Sequence, residues 1–162
     1  MFRREGGMKK VKDSSITLVQ QMTQQDANLS GNVHGGTIMK LIDNAAGLVA
    51  VRHTGKNVVT ASIDRLDFHS PVFVGDLLRV SGSLNFVGRT SMELGVRVEA
   101  ENIISGHVRH TASAYLTYVC LEGGKPAEVP PVEFETRDEI RRNHEALERR
   151  RRRLIEKQQE KH

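Results

Sequence analysis

Between Asp26 and His53 the chain reads D-A-N-L-S-G-N-V-H-G-G-T-I-M-K-L-I-D-N-A-A-G-L-V-A-V-R-H, and no other stretch restricts the fold as much. A short polar loop gives way at Gly35-Gly36 to an apolar run with helical spacing. Placed at 100° per residue, Ile38, Leu41, Ile42, Ala45 and Val49 fill one broad arc, and Thr37, Lys40 and Asn44 leave only a narrow polar strip. A helix with so little polar surface is predicted to be wrapped by protein. One acid interrupts it: Asp43, whose neighbours at helical spacing are Met39, Ala46, Gly47 and Ala50. That flank of small residues admits another backbone or a slim ligand. Glycines at the helix start leave the first backbone N–H groups uncovered, so that an oxygen can approach them closely. An oxyanion-accepting helix end followed by a carboxylate is the most informative pairing in the chain.

The segments on either side read as strands. Ser15–Met22 alternates weakly. After a turn at Gly55-Lys56-Asn57, the run from Asn57 to Phe68 is rich in β-branched residues at its start and shifts phase near Asp64-Arg65, which predicts a bulge. Leu78, Val80, Gly82, Leu84 and Phe86 then alternate with Arg79, Ser81, Ser83 and Asn85. Met92, Leu94, Val96, Val98 and Ala100 do the same beyond the turn Gly88-Arg89-Thr90, and His107–Leu121 is a last long strand. The order β-α-β-β-β-β, with hairpin-length connections between the later strands, predicts an α+β fold: one helix against the concave face of a curled antiparallel sheet of about five strands.

Charge is unevenly placed. From Thr136 to His162 ten Lys/Arg stand against six Asp/Glu, a surplus equal to the whole net charge of +4, so the rest of the chain is neutral. The basic character belongs to the tail, which predicts a solvated or loosely docked helix with Thr136 and Glu139 forming its cap; nucleic acid is not expected as a partner. The chain is expected to divide into a flexible leader over 1–13, a folded domain over 14–132 and a basic helical extension over 133–162. A single cysteine, Cys120, favours a reducing compartment and is expected in the core. The N-terminus has no signal-peptide core and no apolar run reaches 18 residues, so the expectation is a cytoplasmic protein without a membrane span. The seven histidines show no metal-ligand spacing and no phosphate-loop or dinucleotide fingerprint is present, so neither metal nor bound cofactor is expected.

N-V-H-G-G-T-I-M-K-L-I-D, followed by N-V-V-T-A-S-I-D-R-L-D-F-H-S-P-V-F-V-G-D, resembles the hotdog-fold acyl-CoA thioesterases, and more closely their cytosolic branch with the V-H-G-G signature. The resemblance runs from Ile16 to Leu121, takes in V-G-R-T-S and A-S-A-Y-L-T-Y-V, and stops short of the tail from Glu133 onward. It implies hydrolysis of an acyl-CoA to a carboxylic acid and coenzyme A, the latter being part of the substrate. It also implies that Asp43 acts as general base or nucleophile and that Asn28 orients water or thioester. The two residues would act from different subunits of a homodimer at least, with a trimer of dimers as the larger assembly. The chemistry needs a polarised carbonyl, for which the Gly35 and Gly36 N–H groups and the helix dipole are suited. The phosphates of coenzyme A need donors, for which Arg89 with the N–H groups of Gly88, Thr90 and Ser91 is the best candidate. His34, His69 and Ser70 are candidates to line the path of the substrate.

Plainer readings stand beside each of these. Asp43 can be an acid that bridges to a neighbouring subunit, Asn28 a turn residue, His34 a filler of hydrogen bonds, and Arg89 a solvent-facing hairpin residue. Two other functions compete. A hotdog hydratase or dehydratase would need a richer His/Pro loop than the one His and one Pro of F-H-S-P-V-F-V-G-D. A non-catalytic acyl-CoA-sensing module would use the basic tail for contacts.

Overall fold

The computed structural model describes residues 8–161. Five long strands form the sheet: β2 (Ile16–Gln21), β3 (Asn57–Phe68), β4 (Leu77–Val87), β5 (Ser91–Glu101) and β6 (Val108–Glu122). They lie in the order β2-β4-β5-β6-β3 with every neighbouring pair antiparallel. The two-residue β7 (Lys125–Pro126) adds to β6. The sheet curls around α2 (Gly35–Thr54), which touches β3, β4, β5 and β6. Gly55, in the left-handed region at φ 65°, ends that helix, where its N–H donates to the Val51 carbonyl at 2.7 Å.

The core is the seam between the two layers. Ile42, Ala45, Ala46, Val49 and Ala50 from the helix meet Leu78, Val80, Leu84, Leu94, Val96, Val98, Ala114 and Leu116 from the sheet. The alternation in β4 and β5 is thus the in–out pattern expected of a half-buried sheet. Gly82 sets the spacing at one point: a Cβ there would lie 3.2 Å from Val49 Cγ2 and 3.4 Å from the Ala45 carbonyl oxygen, so the missing side chain lets helix and strand approach. The expected phase shift in β3 is present, with register breaks between Thr60 and Ser62 and between Ile63 and Arg65. A break between Leu84 and Phe86 was not foreseen. It leaves Asn85 on the outer face of the sheet, where it donates to Glu93, and brings Phe86 to that same face, out of the alternating core pattern.

The sheet wraps α2 as expected, and within one chain the outer stripe of the helix, Lys40, Asn44, Leu48 and Val51, stays uncovered, with Leu48 and Val51 47% and 44% exposed. The readings of the two ends of the chain are revised. The leader is not loose over the part that is described. β1 (Lys9–Lys10) pairs in parallel with β8 (Val132–Glu133), α1 (Val11–Ser14) packs on α2, and Val11 is buried. One apolar residue in a charged run suffices because the strand pairing holds it in place; residues 1–7 of the expected leader lie outside the described residues. Of the two readings of the basic tail, solvated or loosely docked, the docked one holds, through one stripe of the helix while the rest stays exposed. α3 (Arg137–Gln159) starts at the expected cap, with the Glu139 N–H donating to Thr136 Oγ1 at 3.1 Å, and lies on the outer face of the sheet. The stripe that docks is Asn143, Ala146, Arg149, Arg150 and Arg153, whereas Ile140, Leu147, Leu154 and Ile155 remain exposed. That outer face presents Glu93, Ser91, Asp64 and Thr117, so what it accepts is a row of arginines.

His53, fully buried near the end of α2, ties that end to the segment after the sheet. Its Nε2–H donates to the Pro130 carbonyl at 2.7 Å, and Lys9 donates to the His53 carbonyl. The contact places the ring proton on Nε2, and burial holds the ring's pKa below its ordinary 6.5. The unfolded chain therefore takes up a proton near pH 6.5 before the folded one does. Stability from this group is present above that pH and is lost as pH falls below it, at up to about 1.4 kcal/mol per pH unit. Urea midpoints taken at pH 7.5 and pH 5.5 are expected to fall more steeply in the wild type than in His53→Gln, and equal slopes would exclude His53 as the origin.

Candidate active site

Asp43 lies midway along α2, half-buried, on the flank facing the β3–β6 pair. Thr60 and Tyr118 are cross-strand partners in that pair, immediately before the first register break. Both hydroxyls reach the same oxygen: Tyr118 Oη donates to Asp43 Oδ1 at 2.5 Å, and Thr60 Oγ1 donates to it at 2.8 Å. Among the described residues Asp43 Oδ2 has no hydrogen-bond partner. One carboxylate oxygen is thus held and the other is left open for chemistry. Tyr118 is buried, and its hydroxyl is pushed well above the usual phenol range, first by burial and then by its bond to Asp43, so it remains a protonated donor throughout the neutral range. Periodicity placed Tyr118 with the core residues and did not single out Thr60. The signal that would have found them is the β3–β6 register, which sequence periodicity does not supply.

The start of α2 is built as expected. His34 precedes the helix and accepts the N–H groups of Thr37 (3.1 Å) and Ile38 (3.3 Å) on its carbonyl, while its own N–H donates to the Asp26 carbonyl at 2.8 Å. Its imidazole is not used as a cap. The N–H groups of Gly35 and Gly36 have no partner among the described residues, and both glycines are exposed. A Cβ on Gly35 would sit 3.6 Å from the Phe68 ring, whereas Gly36 faces open space. Asn28 does turn chemistry: its Oδ1 accepts the N–H groups of Ser30 (2.9 Å) and Asn32 (3.1 Å). Those bonds hold the loop and leave the side-chain NH2 without a partner among the described residues.

Within one chain these parts do not form one pocket. Gly35 and Asp43 are eight residues apart, roughly 12 Å along the helix axis. Phe68 pairs with Ala112 at the end of the sheet near Gly35, so His69 and Ser70 share that end. There the His69 ring lies 4.7 Å from that of His110, and Ser70 Oγ is buried without a partner among the described residues. The turn from Gly88 to Ser91 lies at the opposite end, where the Cys120 N–H donates to the Thr90 carbonyl at 2.9 Å. Arg89 is exposed. Part of this turn serves α3 instead: Arg150 donates to Ser91 Oγ at 3.3 Å, and a Cβ on Gly88 would meet the Arg150 guanidinium at 3.0 Å. What the arrangement can do by itself is hold a carboxylate with one free oxygen, and offer separately a helix end with two free N–H groups.

Comparisons with known proteins agree with this fold. Residues 30–106 match the family model of the thioesterase superfamily. Protein VdlD of Helicobacter pylori is 42% identical over 123 residues, which cover 76% of this chain and 71% of that protein. The cytosolic acyl coenzyme A thioester hydrolase of Rattus norvegicus is 41% identical over 132 residues, 80% of this chain, yet the chain spans only 35% of that relative's length. Among solved structures, an apo-hexameric acyl-CoA thioesterase superposes with a TM-score of 0.89 at 37% identity, covering 92% of this chain and 96% of the other. The acyl-CoA hydrolase of Staphylococcus aureus in complex with butyryl coenzyme A, coenzyme A and coenzyme A disulfide gives 0.85 at 36% identity, covering 94% and 96%. Alanine variants of that enzyme at an aspartate, a threonine and an asparagine have also been solved. With the curled sheet around one helix, and with Protein VdlD and both solved enzymes matched over most of their length, the chain belongs to the hotdog-fold thioesterase superfamily, beside relatives named acyl-CoA thioester hydrolases.

Proposed function

We propose that this chain hydrolyses acyl-CoA thioesters to coenzyme A and a carboxylic acid, in a homodimer or a larger assembly of dimers. The observation that carries the reading is the Asp43 carboxylate, with Oδ1 held by Tyr118 and Thr60 and Oδ2 free. In this mechanism Asp43 Oδ2 takes a proton from water as the water oxygen adds to the thioester carbonyl carbon. The carbonyl oxygen becomes an oxyanion and is met by the Gly35 and Gly36 N–H groups at the positive end of the helix dipole. The C–S bond then breaks, coenzyme A leaves as a thiolate, and the proton passes to it from Asp43.

Two groups so far apart along one helix cannot serve one carbonyl, so the glycines and Asn28 are assigned to one subunit and Asp43 to the next. The exposed apolar residues Leu48 and Val51 of α2, and Val59, Ile63 and Phe68 on edge strand β3, support pairing of two chains there. The solved relative described as hexameric supports a larger assembly. Arg89 is proposed to meet phosphate groups of coenzyme A, and His69 with Ser70 to line the pantetheine path. The chemistry as written requires no metal or bound cofactor. A cytoplasmic location is proposed from the relative named cytosolic; no helix among the described residues is long and apolar enough to cross a membrane.

The test is release of free thiol from a panel running from acetyl- to palmitoyl-CoA. Turnover of at least one chain length is expected. No release from any of them would overturn the reading, leaving a sensing module as the alternative.

A further inference from the structure

The open oxygen of Asp43 owes its position to a cross-strand pair. Thr60 and Tyr118 face each other in the β3–β6 ladder, and both bind Oδ1. Their contributions differ. Thr60 is exposed and its hydroxyl can turn to water, whereas Tyr118 is buried and its ring reaches from β6 to the helix across Gly47. A Cβ on Gly47 would already stand 3.5 Å from Tyr118 Oη and 3.6 Å from its ring, so the small residue one helical turn after Asp43 leaves the ring its place. The phenol oxygen also lies 2.8 Å from the Asp43 backbone carbonyl. A hydroxyl between main chain and carboxylate of one residue restrains both torsions of that side chain, and a rigid ring holds it there at little cost in side-chain freedom.

We infer that Tyr118 is a positioning residue for Asp43: it locks Oδ1, so that Oδ2 alone is presented to the attacking water. This inference rests on the thioesterase reading above. Its effect belongs to the chemical step, because Tyr118 is buried beneath Asp43 and the group it positions is the base. Such a role differs from simple packing, which the ring alone would satisfy.

Tyr118→Phe keeps the ring and removes the hydroxyl. In the full-length protein kcat is expected to fall about 10-fold to 100-fold with KM changed less than twofold, the scale of a lost hydrogen bond to a charged group. The acid limb of the kcat profile is expected to move to higher pH, because the phenol donates to the ionised carboxylate and favours it. Uniform replacement of tyrosine by 3-fluorotyrosine makes the phenol a stronger donor and should move the same limb the other way. It also covers the case in which the phenylalanine variant loses its cooperative melt. The other tyrosine of the chain, Tyr115, lies beneath Arg149 on the outer face. Wild-type kcat in Tyr118→Phe, or a loss of kcat with an unmoved acid limb in both proteins, overturns the inference. A wild type that releases no thiol overturns the thioesterase reading itself, so the two failures are distinct.

Discussion

Asp43→Asn is expected to lower kcat by about 10²-fold to 10⁴-fold, the range for removing a positioned general base. The substitution is nearly isosteric, and the amide oxygen can still accept from Tyr118 and Thr60, so the hydrogen bonds seen at Oδ1 persist. The amide NH2 then occupies the place of Oδ2 and points donors where the water must give up a proton. Substrate binding has little reason to change, so KM should stay within a few-fold. The melting temperature should be close to that of the wild type, because the buried partners stay satisfied. Steady-state thiol release with a thermal melt on the same preparation checks both halves. Full activity in Asp43→Asn would remove Asp43 from the mechanism without removing the activity from the protein.

The second large effect concerns stability. Arg149→Met is expected to cost about 3 kcal/mol, because Glu93 is only 1% exposed and Arg149 is its ion-pair partner. The guanidinium binds the carboxylate bidentately, Nε to Oε1 and Nη2 to Oε2, both at 2.8 Å, and lies 3.6 Å above the Tyr115 ring. Asn85 donates to the same carboxylate at 3.2 Å and cannot replace the charge. Removing one partner leaves a desolvated anion; removing both does not. Arg149→Met with Glu93→Gln should therefore recover most of the loss, while Glu93→Gln alone leaves the cation with an exit toward solvent and costs less. Urea unfolding of the three variants tests this. A single Arg149→Met loss below about 1 kcal/mol would place the pair in the class of exposed ion pairs and make α3 a dispensable addition.

The docking of α3 illustrates why parts of the molecule were hidden in the chain. Its cap at Thr136 and Glu139 was legible, because capping is a local exchange of hydrogen bonds over three residues. Which stripe docks was not, because the run Arg149–Arg153 has the composition of a solvated face. The stripe Asn143, Ala146, Arg149 and Arg153 acquires meaning only against Glu93, Asp64 and Thr117, which come from three different strands. The short β1–β8 pairing was hidden for the same reason: two residues near each end of the fold carry no periodic signal.

The sequence by itself determined the helix over Gly35–Thr54, its free N-terminal amides, the acid on its small-residue flank, and five strands with their inward faces. Each is a property of spacing along the chain: a period near 3.6 or 2, a glycine where a turn needs one, a single charge in an apolar run. The tertiary structure decided which oxygen of Asp43 is free, because that depends on Thr60 meeting Tyr118 across two strands whose register is set by a bulge. That the glycines and the aspartate of one chain do not serve one carbonyl was, by contrast, already a matter of spacing: eight residues along a helix at about 1.5 Å each. Periodicity records which side of an element is buried; it does not record which residue of another element will stand opposite, and at this site the pair that stands opposite decides which carboxylate oxygen is held.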